Sequence, residues 1–147
     1  MAETHFYGSV EHSIDEKNRI TVPAQFRAGL GNQFFICKAL NNECIWLLPE
    51  EEFKSLLDTM KTKVPRSDRR GQMWIALFTE SAAERQLDKA NRIAIPQQLL
   101  DYAGIKSKVK IFGQNERIEI WALEKWNEYS NVSFTELSDE MRKVYNI

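Results

Sequence analysis

Two Asp-x-x-x-Arg elements, Asp15 to Arg19 and Asp88 to Arg92, hold the residue types in this chain best suited to specific recognition. If each spans a strand, a turn and a second strand, the aspartate and arginine face each other across the turn. They then pair, and the guanidinium is held in one orientation. Arginine presents a rigid fork of donors that can take two bonds from guanine O6 and N7, or grip a phosphate. In the first element Lys17 stands at the tip, where a flexible ammonium reaches phosphate oxygens. An Asp–Arg pair four residues apart also serves a purely structural turn, and repetition alone fits that use, since both copies must make the same turn. The two elements differ around this shared frame. Lys17 and Arg27 in the first stand where the second has Ala90 and Leu100. The first is therefore expected to be the working surface and the second to act more as scaffold.

Other groups offer less. Lys61, Lys63, Arg66, Arg69 and Arg70 crowd together as a second possible phosphate patch, or as a solvated link between two helices. His5 and His12 have no Ser, Cys or carboxylate at a telling spacing. Neither a Gly-rich phosphate loop nor a Gly-x-Ser-x-Gly elbow occurs. Glu11/Glu84 and Glu43/Glu116 recur as pairs, for which turn or ion-pair roles suffice without acid–base catalysis. Cys37 and Cys44 have Lys110 and Arg117 as their repeat partners, so the fold does not require thiols there. Two thiols without neighbouring histidines are too few for a zinc site. No catalytic residue, metal or cofactor is expected.

The elements that must position these groups come as a repeat. Ile14–Phe53 aligns without a gap onto Leu87–Trp126, 73 positions on, with eleven of 40 pairs identical. A self-match at fixed offset fixes architecture before any local reading does. It implies two related units that close a core together. In each copy a polar turn (Asp15–Asn18, Asp88–Asn91) leads into residues that alternate polar and apolar, as a half-buried strand does. A proline follows (Pro23, Pro96), expected in the first turn of a short helix. A glycine then stands where a left-handed helix cap belongs (Gly31, Gly104). Two apolar runs flank a turn at Asn41-Asn42 in copy one and at Gln114-Asn115 in copy two, a hairpin signal.

Helices follow each copy. Phe53, Leu56, Leu57 and Met60 share one face of the first, which Pro65 ends. A second starts at Ser67-Asp68 and is expected to bury Trp74, Leu77 and Phe78. In the tail, Phe134, Leu137, Met141, Val144 and Tyr145 form a helical apolar stripe that needs a cover, on its own chain or on a neighbour. These patterns divide the chain into a first repeat over 9–51, a helical connector over 52–79, a second repeat over 80–123 and a helical tail over 124–147.

An apolar share of 43% can fill a core, while a net charge of −1 excludes a chain coated in positive charge. Any nucleic-acid contact must therefore be local. No apolar run approaches the ~18 residues of a membrane span. The start lacks the charged and apolar regions of a signal peptide, so a cytoplasmic protein with reduced thiols is expected.

The doubled Asp-x-x-x-Arg, each followed by aliphatic-x-aliphatic-Pro, resembles the MraZ family of bacterial transcriptional regulators. Glu11–Arg19, Glu84–Asp88 and Asn115–Trp121 are close to the family pattern, and the likeness covers nearly the whole chain. The resemblance implies an α+β fold, a tandem pseudo-symmetric pair of swapped-hairpin AbrB-like units forming a β-barrel with peripheral helices. It further implies a ring-shaped homo-oligomer associated with the nucleoid. Such a ring binds short guanine-containing direct repeats in double-stranded DNA, upstream of a division and cell-wall gene cluster that includes the regulator's own gene. Carried onto this chain, Arg19 and Lys17 are the expected DNA-contacting groups, with Asp15 orienting Arg19, and Asp88 and Arg92 match the second motif. Many members have Gly where this chain has Asn18 and Asn91. Asn tolerates the same left-handed turn but adds a hydrogen-bonding group at the tip. An antitoxin-like protein-interaction module is the alternative reading, and an enzyme built on Glu11 or Glu84 a distant third.

Overall fold

The computed structural model describes residues 5–147. The first copy supplies β1 (Ser9–Ser13), β2 (Arg19–Thr21), α1 (Ala24–Leu30), β3 (Phe34–Lys38) and β4 (Ile45–Pro49). Helices α2 (Glu50–Lys63) and α3 (Arg69–Ser81) connect it to the second copy. That copy repeats the order as β5 (Ala83–Arg85), β6 (Arg92–Ala94), α4 (Gln97–Ala103), β7 (Lys108–Gln114) and β8 (Arg117–Ala122). Helices α5 (Leu123–Tyr129) and α6 (Phe134–Tyr145) end the chain.

The copies exchange strands. β1 pairs with β7 of the second hairpin, and β5 pairs with β3 of the first. Between them β4 and β8 form a seam, giving a six-stranded antiparallel sheet in the order β1-β7-β8-β4-β3-β5. Among the described residues β2 and β6 pair only with each other, as a separate two-stranded ribbon. In the ribbon Ile20 faces Ile93, and in the seam Trp46 faces Glu119. Each pair occupies one repeat position in both copies, so a pseudo-two-fold axis passes through the two. The expected barrel is not closed. The turns after β1 and β5 carry the chain out of the sheet, so the ladder ends at those strands and does not continue into the ribbon.

The 73-residue offset also breaks inside the hairpins. Phe34 faces Pro49, whereas Val109 faces Ala122. Pro49 and Ala122 keep the repeat offset, but Phe34 and Val109 do not. The outer ladders agree, with Arg85 opposite Phe34 and His12 opposite Val109. Copy two therefore has two more residues between its helix and its strand, and copy one has two more in its hairpin turn. As a result the second hairpin turns at Asn115-Glu116, one residue later than expected, with Asn115 at φ 64°. The first closes a wider turn by a bond from the Ala39 N–H to the Cys44 carbonyl, 3.0 Å.

Local chemistry explains the short helices. Pro23 and Pro96 lie just outside α1 and α4, as their N-caps, with extended ψ of 143° and 142°. Gly104 adopts the expected left-handed cap, φ 67° and ψ 30°. Gly31 does not: its φ of 75° with ψ of −168° falls in a region open essentially only to glycine.

The sheet is buried on both faces. On one, Ile36, Ile45, Leu47, Val109, Ile111, Ile118 and Ile120 pack against Ile20 and Ile93 of the ribbon and Phe26, Leu30 and Leu99 of the helices. On the other, Cys37, Trp46, Leu48 and Trp121 pack against Phe53 and Met60 of α2 and Ile75 and Phe78 of α3. Full burial of each such side chain contributes about 1.5–3 kcal/mol. Central strand β4 serves both faces, which is why its sequence is continuously apolar rather than alternating. One expectation fails here. α3 buries Ile75 and Phe78, while Trp74 and Leu77 stay 42% and 47% exposed beside Met73. α6 buries no residue, and Phe134, Leu137, Val144 and Tyr145 face outward.

The seam holds a buried carboxylate. Glu119, 3% exposed, accepts bonds from the Trp46 indole (3.2 Å), the Trp121 indole (2.8 Å) and Arg117 Nε (2.8 Å). Arg117 lies over the Trp46 ring, 4.5 Å from its centroid.

Candidate nucleic-acid interface

The two turns are built alike. Asp15 Oδ1 accepts from the backbone N–H groups of Lys17 and Arg19, both at 2.9 Å, and Oδ2 accepts from Arg19 Nε at 2.8 Å. The Asp15 N–H donates to the Arg19 carbonyl (2.9 Å), and Asn18 takes the left-handed conformation, φ 59°. In the second turn Asp88 Oδ1 accepts from the N–H of Ala90 (2.9 Å) and Arg92 (2.8 Å), and Oδ2 from Arg92 Nε (3.1 Å). Asn91 has φ 61°. An aspartate with short reach is required, because one carboxylate closes the loop and still meets the guanidinium four residues on.

Bonding through Nε leaves both terminal amino groups of each arginine without an intramolecular partner among the described residues. Those amino groups form the planar fork that meets a base edge or a phosphate. Their side chains are 25% exposed at Arg19 and 34% at Arg92, so each guanidinium is positioned yet reachable. The backbone N–H of Arg19 is the main influence that lowers the Asp15 pKa below its ordinary 3.8. The side-chain bond from Arg19 and the Lys17 N–H act in the same direction, against the opposing effect of desolvation. Asp88 is lowered in the same way, led by the Arg92 N–H. Both carboxylates are thus charged at neutral pH and keep their arginines oriented.

Strand exchange redistributes the remaining candidates. The Ile95 N–H donates to the Asn18 carbonyl (2.8 Å), and the Val22 N–H donates to the Asn91 carbonyl (2.9 Å), so each turn is latched by the other copy. Asn18 Nδ2 also reaches Gln97 Oε1 of α4, 3.3 Å away. Arg27 donates from Nε to the Val22 carbonyl at 2.9 Å, which places it beside the second turn rather than the first. The second turn has its own lysine, Lys89, one position earlier than Lys17 in the first. Arg85 donates from Nε to the carbonyl of Ala94, the residue that faces Arg19 across the ribbon (3.1 Å). Arg27 of copy one thus lies beside the second turn, and Arg85 of copy two reaches the first turn's end of the ribbon. Arg85 and Lys89 are visible in the sequence, at the repeat positions of His12 and Glu16. Lys61, Lys63, Arg66, Arg69 and Arg70 are exposed at the junction of α2 and α3, on elements separate from the ribbon.

Among the described residues, no group of three or more His, Cys, Asp or Glu side chains is placed to hold a metal ion. No helix among them is long and apolar enough to cross a membrane.

This arrangement defines a class: a duplicated swapped-hairpin protein that displays two carboxylate-oriented arginines from a central ribbon. A family model described as "MraZ protein, putative antitoxin-like" matches residues 5–72 and again 78–144. The chain is 41% identical over 141 residues to a protein of Clostridium beijerinckii named transcriptional regulator MraZ, covering 95% of this chain and 98% of that one. Proteins of the same name from Clostridium tetani (36% over 141 residues, 95% and 98% covered) and Acetivibrio thermocellus (37% over 139 residues, 92% and 96% covered) are similar too. The chain belongs to the MraZ family.

Proposed function

We propose that this protein is a sequence-specific DNA-binding transcriptional regulator. It acts as a cytoplasmic, nucleoid-associated repressor that binds short direct repeats upstream of a division and cell-wall gene cluster, its own gene included. The observation that carries this reading is the half-buried, reachable arginine held by an aspartate at the turn, present twice. Arg19 reads base edges, Asp15 orients it, Lys17 meets phosphate, and Asn18 shapes the tip. Arg27, Asp88 and Arg92 complete the surface around the second turn.

Self-assembly is part of the proposal. A near-neutral chain with few cations per site binds one repeat weakly, and several copies on successive repeats raise overall affinity through effective concentration. The apolar stripe of α6, which buries no residue, supports this. Acidic residues Glu136, Asp139 and Glu140 accompany that stripe, while the exposed Met73, Trp74 and Leu77 of α3 adjoin basic Arg66, Arg69 and Arg70. A second copy's α6 fits that face in both apolarity and charge, and repetition of the contact builds a ring.

The experiment is a gel-shift titration with the DNA that precedes the gene. Arg19→Ala should remain folded and bind much more weakly, and unchanged binding would rule the assignment out. The family description favours one further reading, an antitoxin-like module in which α6 docks an unrelated protein. Deleting residues 131–147 separates the two. The regulator loses its ring and its affinity for repeated sites, whereas the interaction module loses its partner and keeps DNA binding.

A further inference from the structure

Copy two's extra pair of residues lies in the stretch from helix α4 to strand β7, where Ile105-Lys106-Ser107-Lys108 stands in place of Asn32-Gln33. The swap delivers that loop to the first turn. The Ile14 N–H donates to the Ser107 carbonyl at 2.8 Å, and Ser13 faces Lys108 across the ladder, so the loop is docked at the root of the Asp15–Arg19 turn. Among the described residues, the uncharged counterparts Asn32 and Gln33 make no such backbone bond to the second turn.

Both lysines are exposed, and among the described residues neither has an acidic partner within ion-pair distance. They share the wall of a shallow cavity of about 250 Å³ with Ser107, Leu123 and Glu124. The arginines closest to the ribbon behave differently. Arg27 and Arg85 are both tied to backbone carbonyls.

Resting on the DNA-binding reading above, we infer that Lys106 and Lys108 form a phosphate clamp for the first turn, supplied by the second copy. From Ser13 to the tip at Lys17 is four residues, at most about 14 Å of extended chain and less around a turn. The major groove is about 12 Å wide. A turn that enters the groove therefore has its flanking phosphates within reach of lysines at its root. A mobile ammonium with no intramolecular ion pair suits this use, because it follows the backbone without reading sequence. The insertion thus adds charge to one turn without touching the groups that face the bases.

The test uses the full chain, the duplex preceding its gene and an unrelated duplex of the same length, with affinity measured by fluorescence anisotropy over a range of salt. In the Lys106→Gln/Lys108→Gln variant both duplexes should bind several-fold more weakly, with the ratio between them unchanged. The slope of log affinity against log salt should fall in magnitude by about 1.8, or about 0.9 for each phosphate that is no longer neutralised. A Lys61→Gln/Lys63→Gln variant, equal in charge change, should leave the slope as it was. An unchanged slope in the first variant overturns the inference, and so does a collapse of the ratio between duplexes, which would mean that the lysines read bases. Arg19→Ala, measured in parallel, keeps the two claims apart. If Arg19→Ala abolishes the preference while the lysine variant keeps the full slope, only the clamp fails. If Arg19→Ala keeps the preference while the lysine variant lowers the slope, the assignment of Arg19 fails and the clamp stands.

Discussion

The two halves of this chain agree at the turns and disagree at the seam. Asp15 and Asp88 make the same three bonds, residue for residue, and Asn18 and Asn91 share one backbone conformation. In the seam the equivalent positions are Trp46 and Glu119, and next to them Cys44 and Arg117. Under the DNA-binding proposal, a repeating ligand is met by two arginines held in one way, although the tips carry Lys17 in one copy and Ala90 in the other. A contact between halves gains from being unlike, because two copies of Glu119 face to face would bury opposed carboxylates. Trp46 instead gives that carboxylate an indole N–H. The difference favours pairing of copy one with copy two over pairing of like with like.

The largest effect should come from the unlike region. Glu119→Ala leaves Arg117 without its buried partner and two indole N–H groups unsatisfied, so unfolding free energy in urea should fall by about 3–5 kcal/mol. A fall of under about 1 kcal/mol, the range of an exposed ion pair, would show that the seam tolerates its own disruption. Next comes Arg19→Ala, expected to lower affinity for the upstream DNA by about 1–3 kcal/mol in a gel shift, with stability nearly unchanged. Arg92→Ala tests how alike the turns are in use. It should cost less affinity than Arg19→Ala and more stability, and the reverse order on DNA would make the second turn the principal reader.

The smallest effect concerns acid. Asp15 and Asp88 have folded pKa values below the ordinary 3.8, so their contribution is present above that value and is lost only as pH falls through the lower folded values. The Arg19 and Arg92 Nε–H signals should therefore keep their shifts by NMR from about pH 7 to about pH 5 and move only below about pH 4. Movement near pH ~6 would mean that a group with a histidine-like pKa holds the turn.

Much of this was legible in the sequence, for a definite reason. The four-residue spacing of Asp and Arg constrains a turn so tightly that the pairing follows from the spacing itself. The helix at Asp68 declared itself by its cap, whose side chain accepts from the Gly71 N–H at 3.0 Å. What could not be read was the consequence of exchange. Arg27 follows the first motif in sequence but lies beside the second turn, because Val22 bonds Asn91. Chain order does not carry that information. The shift of phase in the hairpins was hidden for a similar reason: gains and losses of two residues cancel, leaving an alignment with no gap. Trp74 and Leu77 show a different limit. Periodicity identifies an apolar side of α3 but not how much of it the sheet can cover, and Ile75 and Phe78 fill the available width.

The two thiols have a practical consequence. Both are free and buried, and burial pushes Cys37 up to about 12 and Cys44 higher still, with Glu119 beside Cys44 adding to the rise. At neutral pH a thiol raised this far stays protonated, and the ionised form is the one that reacts with peroxides and alkylating reagents. Oxidative stress in the cell therefore has no ready handle on this chain through its cysteines, and the folded protein should resist iodoacetamide without added reductant.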